Sequence, residues 1–355
     1  MLGPGLGVKG GISALEGPLL DHFSSQRFEL RHRATMTDRF LLSRITHFVL
    51  RIISLPLWAI RRPALVHIHL SHGMSTVRKT ILALALRVLR IKYIIHSHSS
   101  EYQEFYPKVP RLFRWFVDRG LKGAAGFIVL SESWAEFYQK VVGIQAQKMI
   151  VLNTPVPEIS EWASSTDEPP LNEKEKVVYF SGRIGKRKGA FDLIEAWSKI
   201  PDSVLKDWRL ILTGDGEIKR ARTMIDQHNL GSVELLGWVS EQELVELYRT
   251  SAIYVLPSYN EGQPMGLIHA MSYGCASIST SVGGIPEVIE HEENGLIIEP
   301  GDGGALINAL TLLMGDEETR EQIARGAILT TKKNSLSEYI VRLEEFYASI
   351  ISSSE

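Results

Sequence analysis

Short apolar segments alternate with amphipathic, helix-like segments along almost the whole chain, and this alternation restricts the fold more than any other feature of the sequence. The apolar segments are 65–70, 93–96, 127–130, 149–152, 177–181, 209–213, 233–236, 253–256 and 276–280. Each has the length of a strand, and stretches with apolar residues at helical spacing lie between them. Strands that alternate with helices form parallel sheets with helices on both faces. The sequence therefore predicts an α/β protein.

The length and one segment rich in proline and serine predict two domains. At about 100–200 residues per domain, 355 residues suffice for two. Proline and serine are dense over residues 156–176, and they disfavour both helices and paired strands. We therefore expect an N-terminal domain over 1–155, a linker over 156–176, a C-terminal domain over 177–335 and a final helix over 336–355.

The two halves of the chain carry opposite charge. Residues 1–155 contain 21 Lys and Arg against 9 Asp and Glu, whereas residues 156–355 contain 18 against 32. A basic half suits an anionic membrane, an anionic acceptor molecule or a nucleic acid. A nucleic acid is the weakest of these three interpretations, because the sequence has no basic motif interleaved with aromatic residues.

The segment 39–62 adds a membrane-binding candidate to the basic half. Its arginines lie among large apolar residues, a pattern typical of helices that rest on an anionic lipid surface such as the inner face of the cell membrane. The alternative is a helix that packs its apolar face on the first sheet while its arginines still face lipid. Pro56 is expected to kink or end this helix.

Cysteine content and hydropathy exclude several classes of protein. Cys275 is the only cysteine, so an internal disulfide and a zinc site built on several thiols are excluded. No stretch reaches about 18 uncharged apolar residues and the N-terminus lacks the order of a signal peptide, so we expect a cytoplasmic protein. His67, His69 and His72 resemble a metal cluster, but we interpret them as strand-end residues that line a cleft and expect no metal.

An N-terminal glycine cluster is the first candidate for binding phosphate. The run from Gly5 to Gly10 fits the dinucleotide pattern G-x-G-x-x-G, but that pattern requires a preceding strand and only four residues precede it. The useful part is Gly10-Gly11 before a helical pattern, because glycines let the backbone approach a ligand and a helix start offers N–H groups to an anion. The alternative is a simple turn into a helix.

A second glycine cluster, 182–189, follows an apolar segment and opens a helical pattern. Arg183 offers a planar guanidinium and Lys188 a point charge, both suited to phosphate. The cluster is not a Walker loop, because no Ser or Thr follows Gly185-Lys186. The alternative interpretation is a solvated basic turn.

The segment 258–274 is the most informative part of the sequence. Glu261 lies in a loop after the apolar segment 253–256, and Pro264 favours the start of a helix. The N–H groups of residues 265–267 would then suit a diphosphate, while Glu261 meets a sugar hydroxyl.

Together with the loop Thr213-Gly214-Asp215-Gly216 and the turn Gly283-Gly284, these motifs resemble the family 4 retaining glycosyltransferases of the GT-B fold, of the bacterial polysaccharide-biosynthesis type. The resemblance is dense over 177–302 and fainter over 8–155. It implies two Rossmann-like parallel-sheet domains that face a cleft, with the C-terminal helix crossing back to the first domain.

The activity implied by this resemblance is sugar transfer from a nucleotide-diphosphate sugar to an acceptor hydroxyl, with retained anomeric configuration. The implied setting is the synthesis of cell-surface polysaccharide or lipid-linked saccharide. No metal or other cofactor is expected, since cationic side chains and helix amides would stabilise the leaving diphosphate.

The resemblance also assigns roles to individual residues. Arg183 and Lys188 would hold the diphosphate, and Glu261 would contact the transferred sugar. A histidine after an N-domain strand also reaches the sugar in this family. Of His96 and His98 we favour His98, because it stands clear of the strand. The other expected substrate contacts are Gly10, Gly11, Gly262, Met265, Gly266, Leu267 and His269.

Two departures from the family pattern favour an alternative function. The family usually has a second glutamate where this chain has His269, and an imidazole offers a ribose fewer hydrogen bonds than a carboxylate does. The family also opens with an apolar strand, whereas this chain begins Met1-Leu2-Gly3-Pro4, so the first strand is expected to be missing. The alternative is a non-catalytic, glycosyltransferase-like binding subunit of a polysaccharide assembly complex.

Overall fold

A computed structural model describes residues 1–8, 10–36, 41–61, 63–156 and 171–352. The chain divides into two compact units. The first consists of Met1–Pro155 together with Leu336–Glu355, and the second of Val156–Ser335. The C-terminal helix, Leu336–Ser352, therefore belongs to the N-terminal unit, as the GT-B resemblance implies.

The first unit is built on one parallel sheet of six strands. The strands are β1 Leu2–Gly3, β2 Arg33–Ala34, β3 Val66–Leu70, β4 Tyr93–Ser97, β5 Gly126–Val129 and β6 Met149–Val151, in the order β2-β1-β3-β4-β5-β6. The helices that precede the second unit are α1 Gly11–His22, α2 Leu41–Arg61, α3 Met74–Val88, α4 Tyr102–Phe105, α5 Arg111–Lys122 and α6 Glu132–Phe137. A π-helical turn, Tyr138–Val142, continues α6.

Apolar side chains cover both faces of this first sheet. On one face, residues of β3 and β5 pack with Leu82 of α3 and Val117 of α5. On the other, Ile94 and Ile128 pack with Leu343 of the C-terminal helix. Strands buried on both faces read as continuous apolar runs, as residues 127–129 of β5 do, whereas His67, His69 and His96 interrupt the runs of β3 and β4.

The first strand is present, so the expectation that it is missing is wrong for the described structure. Leu2 pairs in parallel register with Arg33 on one side and Ile68 on the other. Gly3 leaves room for the buried Glu16 carboxylate, because a Cβ atom at position 3 would lie 1.8 Å from Oε1 of Glu16. A strand of two residues that ends in glycine is too short for a hydrophobic pattern to reveal.

The second unit is built on another parallel sheet of six strands. The strands are β7 Glu175–Ser181, β8 Arg209–Thr213, β9 Val233–Gly237, β10 Ser251–Leu256, β11 Ala276–Thr280 and β12 Leu296–Ile298, in the order β12-β11-β10-β7-β8-β9. The helices are α7 Ala190–Trp197, α8 Asp202–Leu205, α9 Ile218–Gln227, α10 Glu241–Thr250, α11 Met265–Ser272, α12 Gly303–Gly315 and α13 Glu317–Thr331. The capping box predicted at Ser240 and Glu243 is confirmed.

The order of the second sheet reverses between β7 and β10. β7 pairs with β8 on one side and with β10 on the other. In open α/β sheets, such a reversal leaves a crevice at the carboxyl ends of the two strands, where ligands bind. The loops after β7 and β10, which contain the motifs 182–189 and 257–264, therefore start side by side.

The chain passes between the two units at two neighbouring points. Val156 donates a backbone hydrogen bond to Asn334 (2.8 Å) and forms a parallel bridge with Ser335. Residues 157–170 of the predicted linker lie outside the described residues, and β7 already begins at Glu175.

The amphipathic segment 39–62 forms helix α2 over Leu41–Arg61, with Pro56 inside it. Pro56 was predicted to kink or to end this helix. It does not end it, because the helix continues to Arg61. Residues 39, 40 and 62, and the side chains of the arginines at 44, 51 and 61, lie outside the described part. Among the described residues, no helix is both long and apolar enough to cross a bilayer.

Candidate functional site

Two glycine turns of the second unit, 182–189 after β7 and 213–216 after β8, pack backbone against backbone. The N–H of Ile184 donates to the carbonyl of Asp215 (2.6 Å). Gly214 has a φ of +136°, and a Cβ atom on it would lie 1.8 Å from the carbonyl oxygen of Gly182. Glycine is thus needed at position 214 for the close contact between the turn 182–189, called here the basic turn, and the loop 213–216.

A second close contact joins the basic turn to the loop after β10. Gly189 has a φ of +69°, and a Cβ atom there would lie 2.0 Å from the carbonyl oxygen of Pro257. The N–H of Tyr259 donates to the carbonyl of Arg187 (2.8 Å). These contacts bring the side chains of Lys188 and Glu261 together.

Lys188 and Glu261 form a largely buried ion pair at this point. Lys188 Nζ donates to Glu261 Oε1 at 2.5 Å, and their side chains are 16% and 5% exposed. The hydroxyl of Ser258 donates to the same carboxylate oxygen at 2.7 Å. The carboxylate is therefore held by two donors, and neither charge of the pair is left uncompensated in a region that excludes water.

Arg183 lies on the same glycine turn but at the surface. Its side chain is 67% exposed, and Nη1 lies 3.6 Å from Oδ2 of Asp215. Exposed ion pairs contribute only about 0–1 kcal/mol, so a phosphate can displace Asp215 at small cost. The structure thus joins the basic turn to the loop with Glu261, and Arg183 lies on that turn with its side chain exposed.

Helix α11 begins close to Glu261 in sequence, and none of the described side chains caps it. Pro264 is its N-cap residue, and Met265 and Gly266 of the first turn are half-buried while Leu267 is buried. The first N–H groups of a helix carry its positive dipole end and generally have no partner within the helix. The N–H of Leu267 is an exception, because it donates to the carbonyl of Pro264 (3.1 Å), so the prediction that it binds the diphosphate is not supported and the N–H groups of Met265 and Gly266 remain the candidates. An uncapped helix start at the crevice of an α/β sheet is an arrangement that binds anions.

The loop 261–264 is held from behind by the turn at Gly283 and Gly284. The N–H of Gly284 donates to the carbonyl of Gly262 (2.7 Å). A Cβ atom on Gly283, whose φ is +57°, would lie 1.9 Å from the carbonyl oxygen of Glu261. The glycine pair in the sequence is thus explained by its contact with the carboxylate loop.

A cluster of buried tyrosines under helix α11 was not predicted from sequence. Ser181 Oγ lies 2.8 Å from the hydroxyl of Tyr248 and 3.0 Å from that of Tyr254. Tyr179 bonds Thr213 at 2.7 Å. Burial raises the pKa of Tyr254 and Tyr248, so both hydroxyls stay protonated. The cluster supports Gly266 directly, because a Cβ atom there would lie 2.7 Å from the Tyr254 hydroxyl.

His269 follows on the same helix, one turn beyond Gly266. Its side chain is half-buried and meets the ring of Tyr248 edge-on, with ring centroids 6.3 Å apart. His269 thus lies on helix α11, which directly follows the loop that contains Glu261.

In the first unit, His98 lies just after β4. Its N–H donates to the carbonyl of Leu70 (2.9 Å), and its Nε2 lies 2.9 Å from Nδ1 of His69. Burial lowers the pKa of His98 to about 3, so the imidazole is neutral. His96, the other candidate, is fully buried within β4.

Gly10 and Gly11 lie at the exposed start of helix α1. Gly10 is the N-cap residue with a φ of +153°, and no described side chain caps this helix. Among the residues that the structure describes, which leave out residue 9, none has an atom within 4 Å of a Cβ atom built on Gly10.

The predicted grouping of His67, His69 and His72 is wrong in one member. His72 points away, with Nε2 2.7 Å from Glu101 and Nδ1 3.0 Å from the hydroxyl of Ser99. His96 takes its place beside His67 and His69. The register of the parallel strands decides this, because His96 lies opposite His69.

Two family models of glycosyltransferases match this chain. The model of the family described as glycosyl transferases group 1 matches residues 164–330, and that of the glycosyl transferase 4-like domain matches residues 20–154. N-acetyl-alpha-D-glucosaminyl L-malate synthase of Bacillus anthracis is 31% identical over 51% of this chain and 47% of its own length. The UDP-Gal:alpha-D-GlcNAc-diphosphoundecaprenol alpha-1,3-galactosyltransferase of Escherichia coli is 24% identical over 69% and 66%.

The chain spans less than two thirds of the length of these curated relatives. Among solved structures, HepE of Anabaena in complex with UDP matches with a TM-score of 0.71 at 18% identity and covers 98% of both chains. The lipopolysaccharide outer core galactosyltransferase WaaB, in its apo form, matches with a TM-score of 0.68 at 18% identity and the same coverage. These likenesses establish the GT-B fold class.

Proposed function

We propose a glycosyl-transfer function for this chain, which belongs to the GT4-type glycosyltransferases of group 1. The proposed reaction moves a sugar from a nucleotide-diphosphate sugar to an acceptor hydroxyl with retained anomeric configuration, in the synthesis of polysaccharide or lipid-linked saccharide. The observation that carries it is the constellation of Lys188, Glu261 and the uncapped start of α11 at one crevice.

The donor's diphosphate would lie on the first turn of α11. The N–H groups near Met265 and Gly266 and the charges of Arg183 and Lys188 would stabilise the negative charge that develops on the leaving nucleoside diphosphate. Lys188 would then lie between this diphosphate and Glu261, with which it forms an ion pair. Its contact with the diphosphate would strengthen, and its contact with Glu261 would weaken, as the bond to the sugar breaks.

In the proposed reaction, the bond between the anomeric carbon and the diphosphate oxygen breaks, and the acceptor oxygen bonds to the same carbon on the same face. The proton of the acceptor hydroxyl passes to the leaving phosphate oxygen. Glu261 would orient the sugar by accepting hydrogen bonds from its hydroxyls. Burial keeps His98 neutral, so it would form a hydrogen bond with the sugar as an imidazole and not act as a cation.

Transfer is tested by incubating the full chain with UDP-, GDP- and ADP-sugars and an extract of lipid-linked saccharides, and by following the nucleoside diphosphate released. We expect release with at least one donor, to a larger extent when the extract is present. Release that is absent for every donor, while donors still bind, would favour the alternative of a non-catalytic binding subunit.

His269 is the observation that motivates that alternative. If His269 faces the ribose, His269→Glu is expected to strengthen donor binding about 5–10-fold, the effect of one additional net hydrogen bond. His228→Glu, at a half-exposed position of the same unit, is the matched control and should leave binding unchanged. Equal donor affinities for His269→Glu and the original chain would contradict the contact between His269 and the ribose, and His269 would then no longer support the non-catalytic alternative.

We also propose that the acceptor is presented at an anionic membrane surface. Helix α5 supports this, because four of its large apolar residues face solvent among arginines: Leu112, Phe113, Trp115 and Phe116. Helix α2 adds a second exposed apolar row of Val49, Leu50, Ile53, Leu57 and Ile60. Exposed apolar residues mixed with cationic ones are typical of helices that insert shallowly into anionic lipid.

Vesicle flotation tests the membrane proposal. The full chain is expected to bind vesicles with anionic lipid and to bind neutral vesicles far less. The double variant Trp115→Ser/Phe116→Ser should lose most of this binding, whereas Leu329→Ser, an exposed apolar position of the second unit, should keep it. Equal and negligible binding to both vesicle types would contradict the proposal.

A further inference from the structure

Three histidines of the first sheet form a buried group. His67 and His69 lie on the same face of β3, and His96 lies opposite His69 on β4. All three are at most 3% exposed. One ring nitrogen from each lies within 4.8 Å of the other two. Nothing in the proposed sugar transfer requires this group.

Each of these imidazoles keeps at least one ring nitrogen without a hydrogen bond to the described residues. His67 uses Nδ1 for the hydroxyl of Tyr347 (2.6 Å), and its Nε2 has no such partner. His69 uses Nδ1 for His98 (2.9 Å), and its Nε2 has none. Both nitrogens of His96 are without one. Buried polar atoms are nearly always bonded in folded proteins, so these ring nitrogens are available to a bound ligand or an ordered water.

Glu16 of helix α1 adds a buried carboxylate. Its side chain is fully buried, and neither oxygen accepts a hydrogen bond from the described residues. Oε1 lies 3.3 Å from Nε2 of His69, and Oε2 lies 3.5 Å from Nε2 of His32. Lys79, a buried cation of the same unit, donates to the carbonyl of Leu2 and to Thr35 rather than to this carboxylate.

We propose that His67, His69, His96 and Glu16 bind one zinc ion. Three imidazoles and a carboxylate are a tetrahedral donor set for Zn²⁺. With metal–ligand distances of about 2.0–2.2 Å, neighbouring donor atoms in a tetrahedron lie about 3.3–3.5 Å apart. The 3.3 Å between His69 Nε2 and Glu16 Oε1 already has this value. The rings of His67 and His69 are stacked, with centroids 4.3 Å apart and planes 9° apart, so one of them must turn for both to face the same ion.

Two of these imidazoles have a partner on their second ring nitrogen, namely Tyr347 on Nδ1 of His67 and His98 on Nδ1 of His69. Metal-bound histidines usually have such outer partners.

The site would join α1, β3 and β4, and through Tyr347 also the C-terminal helix. With four protein ligands it would be a closed, structural site, and it would stabilise the first unit by mass action. It lies in a different unit from the proposed diphosphate site at Lys188 and Glu261, so zinc binding can be measured without a donor and can fail independently of diphosphate binding. His98, the proposed sugar contact, is the one residue of the proposed reaction that contacts a proposed zinc ligand, His69.

The test uses the full chain without a histidine tag, stripped of metal with a chelator and titrated with Zn²⁺ alone. We expect about one zinc per chain and a higher melting temperature with zinc. Cobalt in its place should give the strong visible bands of a tetrahedral site. His96→Gln should lower the zinc affinity at least about 100-fold, and His228→Gln, in the second unit, should leave it unchanged.

Circular dichroism decides whether His96→Gln still folds. If it does not, Glu16→Gln, which keeps the size of the side chain, replaces it and should weaken zinc binding by at least about 10-fold. A chain that binds less than about 0.2 zinc per molecule at saturation would overturn the proposal. The same holds if His96→Gln or Glu16→Gln folds and keeps the affinity and cobalt spectrum of the original chain.

Discussion

At the scale of single residues, the pair of Lys188 and Glu261 is the centre of the candidate site. The sequence predicted both as ligand-binding residues, but not that they bind each other. Their contact depends on the left-handed backbone of Gly189 and on its close approach to Pro257, which lie far apart in sequence. Non-local contacts of this kind leave no local pattern. The same limit applied to the histidines, where strand register put His96 and not His72 beside His69.

The buried ion pair leads to a stability prediction. Lys188→Met removes the cation and leaves the Glu261 carboxylate buried with Ser258 as its remaining donor, so the second unit should lose about 3–5 kcal/mol. Urea unfolding followed by tryptophan fluorescence measures the loss. Lys199→Met, which breaks an exposed pair with Glu195, is the control and should change stability by less than about 0.5 kcal/mol. If both variants change the free energy of unfolding by less than about 0.5 kcal/mol, the buried pair of Lys188 and Glu261 stabilises the unit no more than an exposed pair does, which would contradict the prediction.

At the scale of elements, the strands that could be predicted were those with long apolar runs. The predicted bounds of β8 and β11 agree with the structure. The strands that were missed, Leu2–Gly3, Arg33–Ala34 and Leu296–Ile298, have two or three residues each. Such strands exist because neighbouring strands pair with them, and their own sequences carry too few residues for a period to appear.

Helix α11 leads to the prediction at this scale. Gly266→Ala would put a methyl group 2.7 Å from the Tyr254 hydroxyl, so the helix must shift away from the tyrosine cluster. We expect a loss of about 1–3 kcal/mol in stability and weaker donor binding, because the phosphate-binding turn moves. Thermal unfolding and donor titration measure the two effects.

A second substitution separates this cause from others. Tyr254→Phe removes the nearest of the three hydroxyls that the new methyl group meets, while those of Ser181 (2.9 Å) and Tyr248 (3.2 Å) remain, so the double variant should recover part of the donor binding that Gly266→Ala loses. Gly315→Ala, where a Cβ atom meets no atom of the described residues within 4 Å, is the neutral control. No recovery at all in the double variant would contradict the role given to the Tyr254 hydroxyl.

At the scale of the whole molecule, the chain builds its first unit from both of its ends. The C-terminal helix contributes Leu336, Leu343 and Ile350 to the core on one face of the first sheet. Composition and alternation predicted two α/β units, but they did not place this helix. The return of the helix was an implication of the family resemblance, because a helical period shows which face is apolar and not what that face covers.

This topology predicts that a substitution near the C-terminus destabilises the N-terminal unit. Leu343→Ala should cost about 2–5 kcal/mol, because Leu343 is fully buried against Ile94 and Ile128. Hydrogen exchange of β4 and β5 should accelerate, while that of β7 and β10 should not change. Val341→Ala, at an exposed position of the same helix, is the control. Equal acceleration in both units would contradict the division of the chain.

The central claim is that the second unit binds the diphosphate of a nucleotide sugar at the basic turn and the start of α11. Calorimetric titration with UDP-, GDP- and ADP-sugars tests it most directly, on the original chain, on Arg183→Ala and on Arg209→Ala. Arg209 is the control, since it lies at the opposite end of β8 and pairs with Glu175 and Glu234. The account predicts saturable binding of at least one donor, weakened about 10-fold or more by Arg183→Ala and unchanged by Arg209→Ala. Binding of no donor, or equal affinity in all three proteins, would contradict it.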